Sequence, residues 1–216
     1  ISNFDGKRVF KKFKIKLKKE IVTSDFELSI KDIEDGQFIN SKKWDDFTKQ
    51  DDVVIIDTRN DYEFKIGHFK NAINPNIKTF KEFKKYIENE KSNLQNKKVA
   101  IYCTGGIRCE KAGPLMQKHG IDTYQLKGGI LKYFEETSAP SWDGECFVFD
   151  YRVAVNKQLQ PGKSEICYGC NMPLTQEERQ SHHYEEDFSC PNCYDQLTKK
   201  RKRSLTDKRE YRKSIL

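Results

Sequence analysis

The 216-residue sequence has no apolar run near the roughly 20 residues that a membrane-spanning helix requires. Its first residues also lack the charged-then-apolar pattern of a secretory signal segment. No flavin, haem or iron-ligand motif stands out, so we expect no organic cofactor. Together these absences predict a soluble, cytoplasmic protein without a membrane partner. Its seven cysteines are then expected to be reactive or metal-binding rather than paired in disulfides.

Basic residues are concentrated at the two ends of the chain. Residues 1–20 contain eight Lys and Arg against two acids, and residues 199–216 contain nine against two. Because the whole chain carries a formal charge of only +7, the residues between these ends are acidic in balance. Such basic runs are commonly solvated faces, but both could also contact phosphate groups.

Residues 9–22 alternate between apolar side chains and lysines, with Phe13, Ile15 and Leu17 on one face. A period of two predicts a half-buried strand with a basic outer face. Because a single strand cannot form a domain, we interpret residues 1–22 as the remnant of a domain that lies upstream.

From about residue 41 the sequence alternates between helical and strand-like segments. Strands are predicted at residues 53–56, 99–102 and 123–126, the first two as apolar runs typical of burial on both faces. Helices are predicted from an N-cap at Ser41 and over residues 79–91, 110–119 and 130–136. This order indicates an α/β domain with a mostly parallel sheet flanked by helices, and function at the carboxyl ends of the strands.

Cys103 follows the second buried strand directly and begins a short loop that leads into a helix. The loop residues are Thr104, Gly105, Gly106, Ile107 and Arg108. Glycines let backbone N–H groups turn towards the sulfur, and the arginine adds positive charge, so the thiol pKa should fall. The loop is shorter than that of Cys-based phosphatases and suits one extra sulfur atom rather than a phosphate. Cys103 is therefore predicted to be a reactive thiolate; the alternative is a buried core cysteine.

Two Cys-x-x-C pairs lie nineteen residues apart in the last third of the chain. They consist of Cys167, Cys170, Cys190 and Cys193. Four thiolates suit tetrahedral zinc, and a region this small needs a metal ion or disulfides to stabilise its fold. We therefore predict a structural zinc site, with two disulfides or a metal-free reduced cluster as alternatives. His182 and His183 lie between the pairs and are expected to be exposed loop residues.

Several short motifs resemble the rhodanese family. They are Asp57-Thr58-Arg59, Glu63-Phe64, Gly67-His68, Ala72-Ile73-Asn74 and the closing turn Gly128-Gly129. The resemblance implies that Asp57 and Arg59 pin the loop beneath Cys103, and that His68 is part of the scaffold rather than an acid or base.

Residues 103–111 and 143–155, together with the cysteine pairs, resemble the bacterial tRNA uridine(34) hydroxylase family of rhodanese-domain proteins. The resemblance implies 5-hydroxylation of the wobble uridine in the tRNA anticodon loop, with molecular oxygen as cosubstrate and Cys103 as catalytic residue. It also implies a strand left from a ferredoxin-like domain (1–22), a rhodanese domain (23–142) and a cysteine-rich zinc region with a basic tail (143–216).

Two other functions use the same residues. A sulfurtransferase would carry sulfur as a Cys103 persulfide, and a non-catalytic binding module would use the rhodanese domain as a scaffold. Cys109 could resolve an oxidised Cys103 by forming a disulfide, or simply pack against the sheet. Cys146 is expected to be a buried small side chain, within a single strand-like, aromatic-rich segment at residues 146–155.

Overall fold

The structure is a computed structural model that describes residues 15–18, 20–24, 26, 28–29, 32 and 36–214. Half of the strand predicted at residues 9–22, namely residues 9–14 and 19, lies outside these ranges. Residues 15–18 and 20–22 are described, and they belong to neither a strand nor a helix. Ile15 and Leu17 are exposed, so the half-buried face predicted for them is absent there. Among the described residues, no helix is both long enough and apolar enough to cross a bilayer.

The structured region alternates helices and strands as far as β6. In chain order these elements are β1 (Gln37–Ile39), α1 (Ser41–Thr48), β2 (Val53–Asp57), α2 (Asp61–Ile66), β3 (Gly67–Phe69), α3 (Phe83–Leu94), β4 (Lys98–Tyr102), α4 (Cys109–Lys118), β5 (Asp122–Leu126), α5 (Gly129–Glu136) and β6 (Trp142–Gly144). The later elements are shorter, apart from the last helix. They are β7 (Cys146–Phe147), β8 (Ala154–Val155), β9 (Glu165–Ile166), β10 (Pro173–Leu174), α6 (Gln176–Arg179) and α7 (Lys199–Ser214).

The central sheet is parallel and has the strand order β1-β5-β4-β2. β4 therefore lies inside the sheet, and Cys103 follows directly at its carboxyl end. The predicted α/β class with a parallel sheet is confirmed. The edge strand β1 was not predicted, because three residues are too few to establish a periodicity.

Helices cover both faces of the sheet, and each face has its own core. On one side Trp44 of α1 and Tyr133 of α5 pack around Phe69 and Trp142, whose rings meet edge-on at 5.0 Å and 88°. On the other side α3 and α4 bury a second, largely aliphatic cluster that includes Ile101. Burial of each large apolar side chain contributes about 1.5–3 kcal/mol to the stability of the fold. The two cores therefore stabilise the sheet from both faces.

Two helix predictions need correction. α1 begins at Ser41, but the N-cap is Asn40, one residue earlier than predicted. The helix predicted at 79–91 begins with a 3-10 turn at Phe80–Glu82 and continues as α3. The short helix α2 was not predicted at all.

The prediction of one strand over residues 146–155 was wrong, because the segment folds into the hairpin β7–β8. The carboxylate of Asp150 accepts a hydrogen bond from the backbone N–H of Arg152 at 3.0 Å. Val153 then adopts a left-handed φ of 63°, and its carbonyl accepts from the Val148 N–H at 2.8 Å. A local carboxylate-to-backbone contact thus favours a turn where the side-chain pattern alone suggests a strand.

The cysteine-rich region forms a small cluster of its own around the antiparallel pair β9–β10. Helix α7 docks against it where Arg201 donates to the carbonyl of Gly169 at 3.1 Å. The predicted boundary between residues 142 and 143 falls inside β6, which pairs with β3 of the α/β body.

Candidate functional site

The sulfur of Cys103 lies in a backbone cradle formed by its own loop. The thiol is almost fully buried, with 2% of the residue exposed, and the Gly106 N–H donates to its Sγ at 3.1 Å. Gly106 has a φ of +93°, a conformation that a residue with a Cβ rarely adopts. The glycine at this position therefore lets the loop close around the sulfur.

The same loop is hydrogen-bonded to the first turn of α5. The N–H of Ile130 donates to the Cys103 carbonyl at 3.0 Å, and the N–H of Leu131 donates to the Thr104 carbonyl at 3.1 Å. These two hydrogen bonds tie the backbone of the loop to the first turn of α5. The closing glycine turn predicted from the sequence is thus the part of the fold that orients the loop.

The surroundings of Cys103 favour the thiolate. Burial alone would raise the pKa of Cys103, but a hydrogen bond from the Cys109 thiol, the charge of Arg108 and the N–H groups of both residues lower it to about 6. Burial and the adjacent Cys103 thiolate raise the pKa of Cys109 well above its ordinary value. These opposite shifts favour a thiolate at Cys103 and a protonated thiol at Cys109.

The two arginines near the loop are each paired with a buried carboxylate. Arg108 binds Glu63 through both ends of its guanidinium, at 2.6 and 2.8 Å. Arg59 binds Asp57 from the side, with its Nε at 2.9 Å from Oδ1 and its Nη2 at 2.6 Å from Oδ2. Arg59 lies beside the Trp142 ring, 5.3 Å from its centroid, so it belongs to the core rather than to the pocket.

A pocket of about 350 Å³ opens above Cys103. Its lining residues are Ile21, Val22, Asn60, Phe80, Cys103, Thr104, Gly105, Ile107, Arg108 and Phe149. Among these residues only Arg108 carries a permanent charge, and its guanidinium is held in an ion pair with Glu63. The site is therefore a largely neutral, apolar cleft with one thiolate at its base.

The four cysteines of the two pairs come together as a second site. Their Sγ atoms all lie within 4.8 Å of one another, and the described residues include no other such ligand group. The sulfur separations between Cys167 and Cys193, Cys170 and Cys190, and Cys190 and Cys193 are 3.8, 3.7 and 3.8 Å. Tetrahedral zinc with bonds of about 2.3 Å places its thiolates about 3.8 Å apart, whereas a disulfide requires about 2.05 Å. The donor set therefore fits a metal ion, and the cysteines are free of disulfides.

A family model described as a rhodanese-like domain matches residues 42–136. Residues 42–136 form a rhodanese-like domain. Over 196 residues the chain is 48% identical to the proteins named tRNA uridine(34) hydroxylase in Acinetobacter baumannii strains AYE and SDF. The matched region is 89% of this chain but only 62% of each relative, so the chain spans less than two thirds of their length. These matches confirm the resemblance seen in the sequence motifs.

A solved rhodanese-like domain protein from Staphylococcus aureus is 24% identical, with a TM-score of 0.38. That match covers 45% of this chain and 90% of the other chain.

His68, within the rhodanese-like domain, and Cys146, beyond it, have the places expected for scaffold residues. The ring of His68 stacks on Phe64 at 4.0 Å, and its Nδ1 lies 3.0 Å from the Phe64 carbonyl oxygen. Cys146 is fully buried, and burial raises its pKa to about 12. In the cysteine-rich region His182 is exposed and His183 half-buried, and neither joins the thiolate cluster.

Three residues contribute to the site in ways that were not predicted from the sequence. Glu63 was noted only as part of a motif. Its position three residues after Asn60 matches a capping box, which could have placed it at the start of a helix. Thr58 holds the loop through its hydroxyl, which donates to the Tyr102 carbonyl at 2.9 Å and lies 3.6 Å from the Cys109 sulfur. Phe149 lines the pocket from the β7–β8 hairpin, and no local signal predicts that contact.

Proposed function

We propose that this protein hydroxylates the wobble uridine of tRNA at C5, with molecular oxygen as cosubstrate and Cys103 as the catalytic residue. The observation that carries the proposal is the 48% identity to proteins named tRNA uridine(34) hydroxylase. The buried thiolate at the base of an open pocket supports it, because an ionised sulfur is the reactive form of cysteine.

The charge of the pocket supports a neutral substrate group. A dianion such as thiosulfate or a phosphate ester calls for an available cation, yet Arg108 is bound at both ends by Glu63. An unpaired uracil is uncharged and flat, and it suits a cleft with apolar walls. We therefore propose that the base of uridine 34 leaves the anticodon stack and enters above Cys103.

The reaction replaces the hydrogen on C5 with a hydroxyl group. One atom of O2 enters the base, and the other leaves as water with two electrons and two protons, which we propose come from two thiols that are oxidised to one disulfide. The residues of this chain supply a nucleophile that is ionised at neutral pH and sheltered from water. Cys109 would donate to that thiolate. As a resolving thiol it would condense with a Cys103 sulfenic acid to form a disulfide and release water, and two molecules of an external thiol would then reduce that disulfide.

The test compares tRNA from a bacterial strain that lacks endogenous hydroxylation of uridine 34. The strain is complemented with the wild-type protein, with Cys103→Ser or with Cys146→Ser, and 5-hydroxyuridine is measured by mass spectrometry of digested tRNA. We expect restoration by the wild type and by the Cys146 variant, and none by Cys103→Ser. Full restoration by Cys103→Ser would rule out a catalytic Cys103, and no restoration by the wild type would refute the proposed activity.

Sulfur transfer is the second candidate, because the rhodanese-like domain and the N–H group on the Cys103 sulfur also suit a persulfide. The paired state of Arg108 counts against a dianionic sulfur donor. The two functions differ in the resting protein. A mass increase of one sulfur atom on Cys103, lost on cyanide treatment, would favour sulfur transfer, whereas an unmodified thiol favours hydroxylation.

We also propose that the four clustered cysteines hold a structural zinc ion, because four sulfurs at these separations leave no open coordination position. The domain division at 1–22, 23–142 and 143–216 is part of the proposal, with the zinc region as the last unit. We propose a cytoplasmic location, because a tRNA substrate would be met there. The basic residues of α7 would assist binding by contacting the RNA backbone.

A further inference from the structure

We propose that Phe149 is the residue that binds the substrate base, by stacking its ring on one face of the unpaired uracil in the Cys103 pocket. This inference rests on the proposed function, because the base that Phe149 would bind is the substrate of that reaction. It adds a substrate-binding residue from outside the rhodanese-like domain, which ends at residue 136.

The position of Phe149 is the first argument. It lies beyond β7, on the β7–β8 hairpin, and lines the pocket together with Cys103. The residue is 66% exposed, although it is an apolar ring next to a sulfur that is almost completely buried. An exposed aromatic at the mouth of a reactive site is a typical substrate contact rather than a core residue.

The support beneath Phe149 is the second argument. Its ring meets Phe147 edge-on at 5.0 Å and 88°, and Phe147 in turn meets Tyr62 of α2 at 5.3 Å and 83°. The turn behind it is fixed by Asp150, whose carboxylate binds both the backbone and the guanidinium of Arg152. Phe149 is thus held in place while its outer surface stays open to a ligand, which lowers the entropy cost of binding.

The shape and charge of the pocket identify the ligand. At about 350 Å³ the cleft can accommodate one pyrimidine nucleoside, but it is far too small for a base-paired duplex. Among the described residues that line it, most are apolar and the one cation is paired, so a flat neutral ring fits better than a phosphate. Proteins that bind single-stranded RNA commonly use an aromatic ring in this way.

The experiment measures binding of an anticodon stem–loop RNA with unmodified uridine 34 to the purified protein. Phe149→Ala is expected to weaken binding about 5- to 100-fold, the range typical of removing one base-stacking aromatic. Phe149→Tyr should bind nearly as well as wild type, whereas Phe149→Leu should be nearly as weak as alanine. Tyr151→Ala is the matched control, because Tyr151 is 59% exposed on the same turn but does not line this pocket.

Alkylation of Cys103 is measured in every variant, since an unchanged rate shows that the loop and its thiolate are intact. Full RNA affinity in Phe149→Leu would overturn the proposal and leave Phe149 as an apolar cover. A lower melting temperature in Phe149→Ala with unchanged RNA affinity would also overturn it, by making the residue a packing contact.

Measurement of 5-hydroxyuridine separates this inference from the proposed function. If the wild type hydroxylates tRNA and Phe149→Ala does so with the same KM, only the stacking role fails. If the wild type produces no 5-hydroxyuridine, the proposed activity fails, and the stem–loop affinities still decide whether Phe149 binds a base.

Discussion

The backbone N–H of Ile130 donates a hydrogen bond to the carbonyl oxygen of Cys103 at 3.0 Å. This bond joins the first turn of α5 to the reactive loop, and it depends on the residue just before Ile130. Gly129 has a φ of +68°, and a Cβ built there would lie 2.5 Å from the Cys103 oxygen. The loop and the closing glycine turn therefore form one unit.

Replacing Gly129 by alanine should disturb this unit. The added methyl group meets backbone atoms that cannot move aside. The left-handed φ of residue 129 costs alanine about a further 1–2 kcal/mol. We expect Gly129→Ala to lower the free energy of unfolding by at least about 2 kcal/mol and to slow Cys103 alkylation. Gly105→Ala is the control, because a Cβ there meets nothing within 4 Å. Equal effects of the two substitutions in urea denaturation would contradict this account.

The thiolate of Cys103 can be measured directly from its reactivity. Because the Cys109 thiol, Arg108 and neighbouring N–H groups lower its pKa to about 6, its iodoacetamide reaction rate should rise with pH around a midpoint near 6. Cys109→Ala removes the side-chain donor and should move that midpoint to higher pH. Peptide mass spectrometry separates Cys103 from the other cysteines. A midpoint in Cys109→Ala equal to that of the wild type would show that the donor has no influence.

The same shift links protein stability to pH. The pKa of Cys103 is lower in the folded protein than in the unfolded chain, so the folded state releases this proton more readily. The resulting stabilisation is fully present above the ordinary thiol pKa and is lost as the pH falls through about 6. We expect wild type to lose more stability than Cys103→Ser between about pH 8.5 and pH 6, as measured by urea denaturation. Identical pH profiles would argue against a thiolate in the folded protein.

The buried pair of Glu63 and Arg108 should dominate the stability of the loop. Glu63→Gln leaves the guanidinium buried without its counter-charge, which costs about 3–5 kcal/mol. Lys65→Ala is the matched control on the same helix, since its ion pair with Asp61 is largely exposed and should contribute less than about 1 kcal/mol. Urea denaturation of both variants gives the comparison. A cost below about 1 kcal/mol for Glu63→Gln would mean that the pair is not needed to hold the loop.

The cysteine cluster predicts one zinc ion per chain by elemental analysis of the purified protein. Cys190→Ser removes one of four thiolates and should reduce the bound metal sharply. Cys146→Ser should leave the zinc content unchanged, because Cys146 is buried in the other core. Zinc retained in full by Cys190→Ser would place the metal elsewhere.

The sequence was informative where a structural feature has a local signal. The apolar run before Cys103 and the cysteine pairs are such signals, and they located the central strand and the cluster of four cysteines. The reactivity of the Cys103 loop remains a prediction. Strand β1 and helix α2 were missed because three and six residues carry little periodicity.

Contacts between distant residues could not be predicted in the same way. Glu63 and Arg108 lie 45 residues apart, and their pairing depends on how α2 sits against the loop. The hairpin that carries Phe149 was misread as one strand because its aromatic residues have high strand propensity. Its position above Cys103 follows only once the chain has folded.

The segment from Asp57 to Glu63 has a consequence for protein engineering. Seven consecutive residues provide the Asp57–Arg59 pair, the Thr58 hydrogen bond beneath Cys103 and the carboxylate that binds Arg108. The loop is therefore only one of several segments on which the thiolate depends, and residues 57–63 are another. A graft of residues 103–108 into another parallel sheet should give a reactive thiolate only when residues 57–63 are transferred with it.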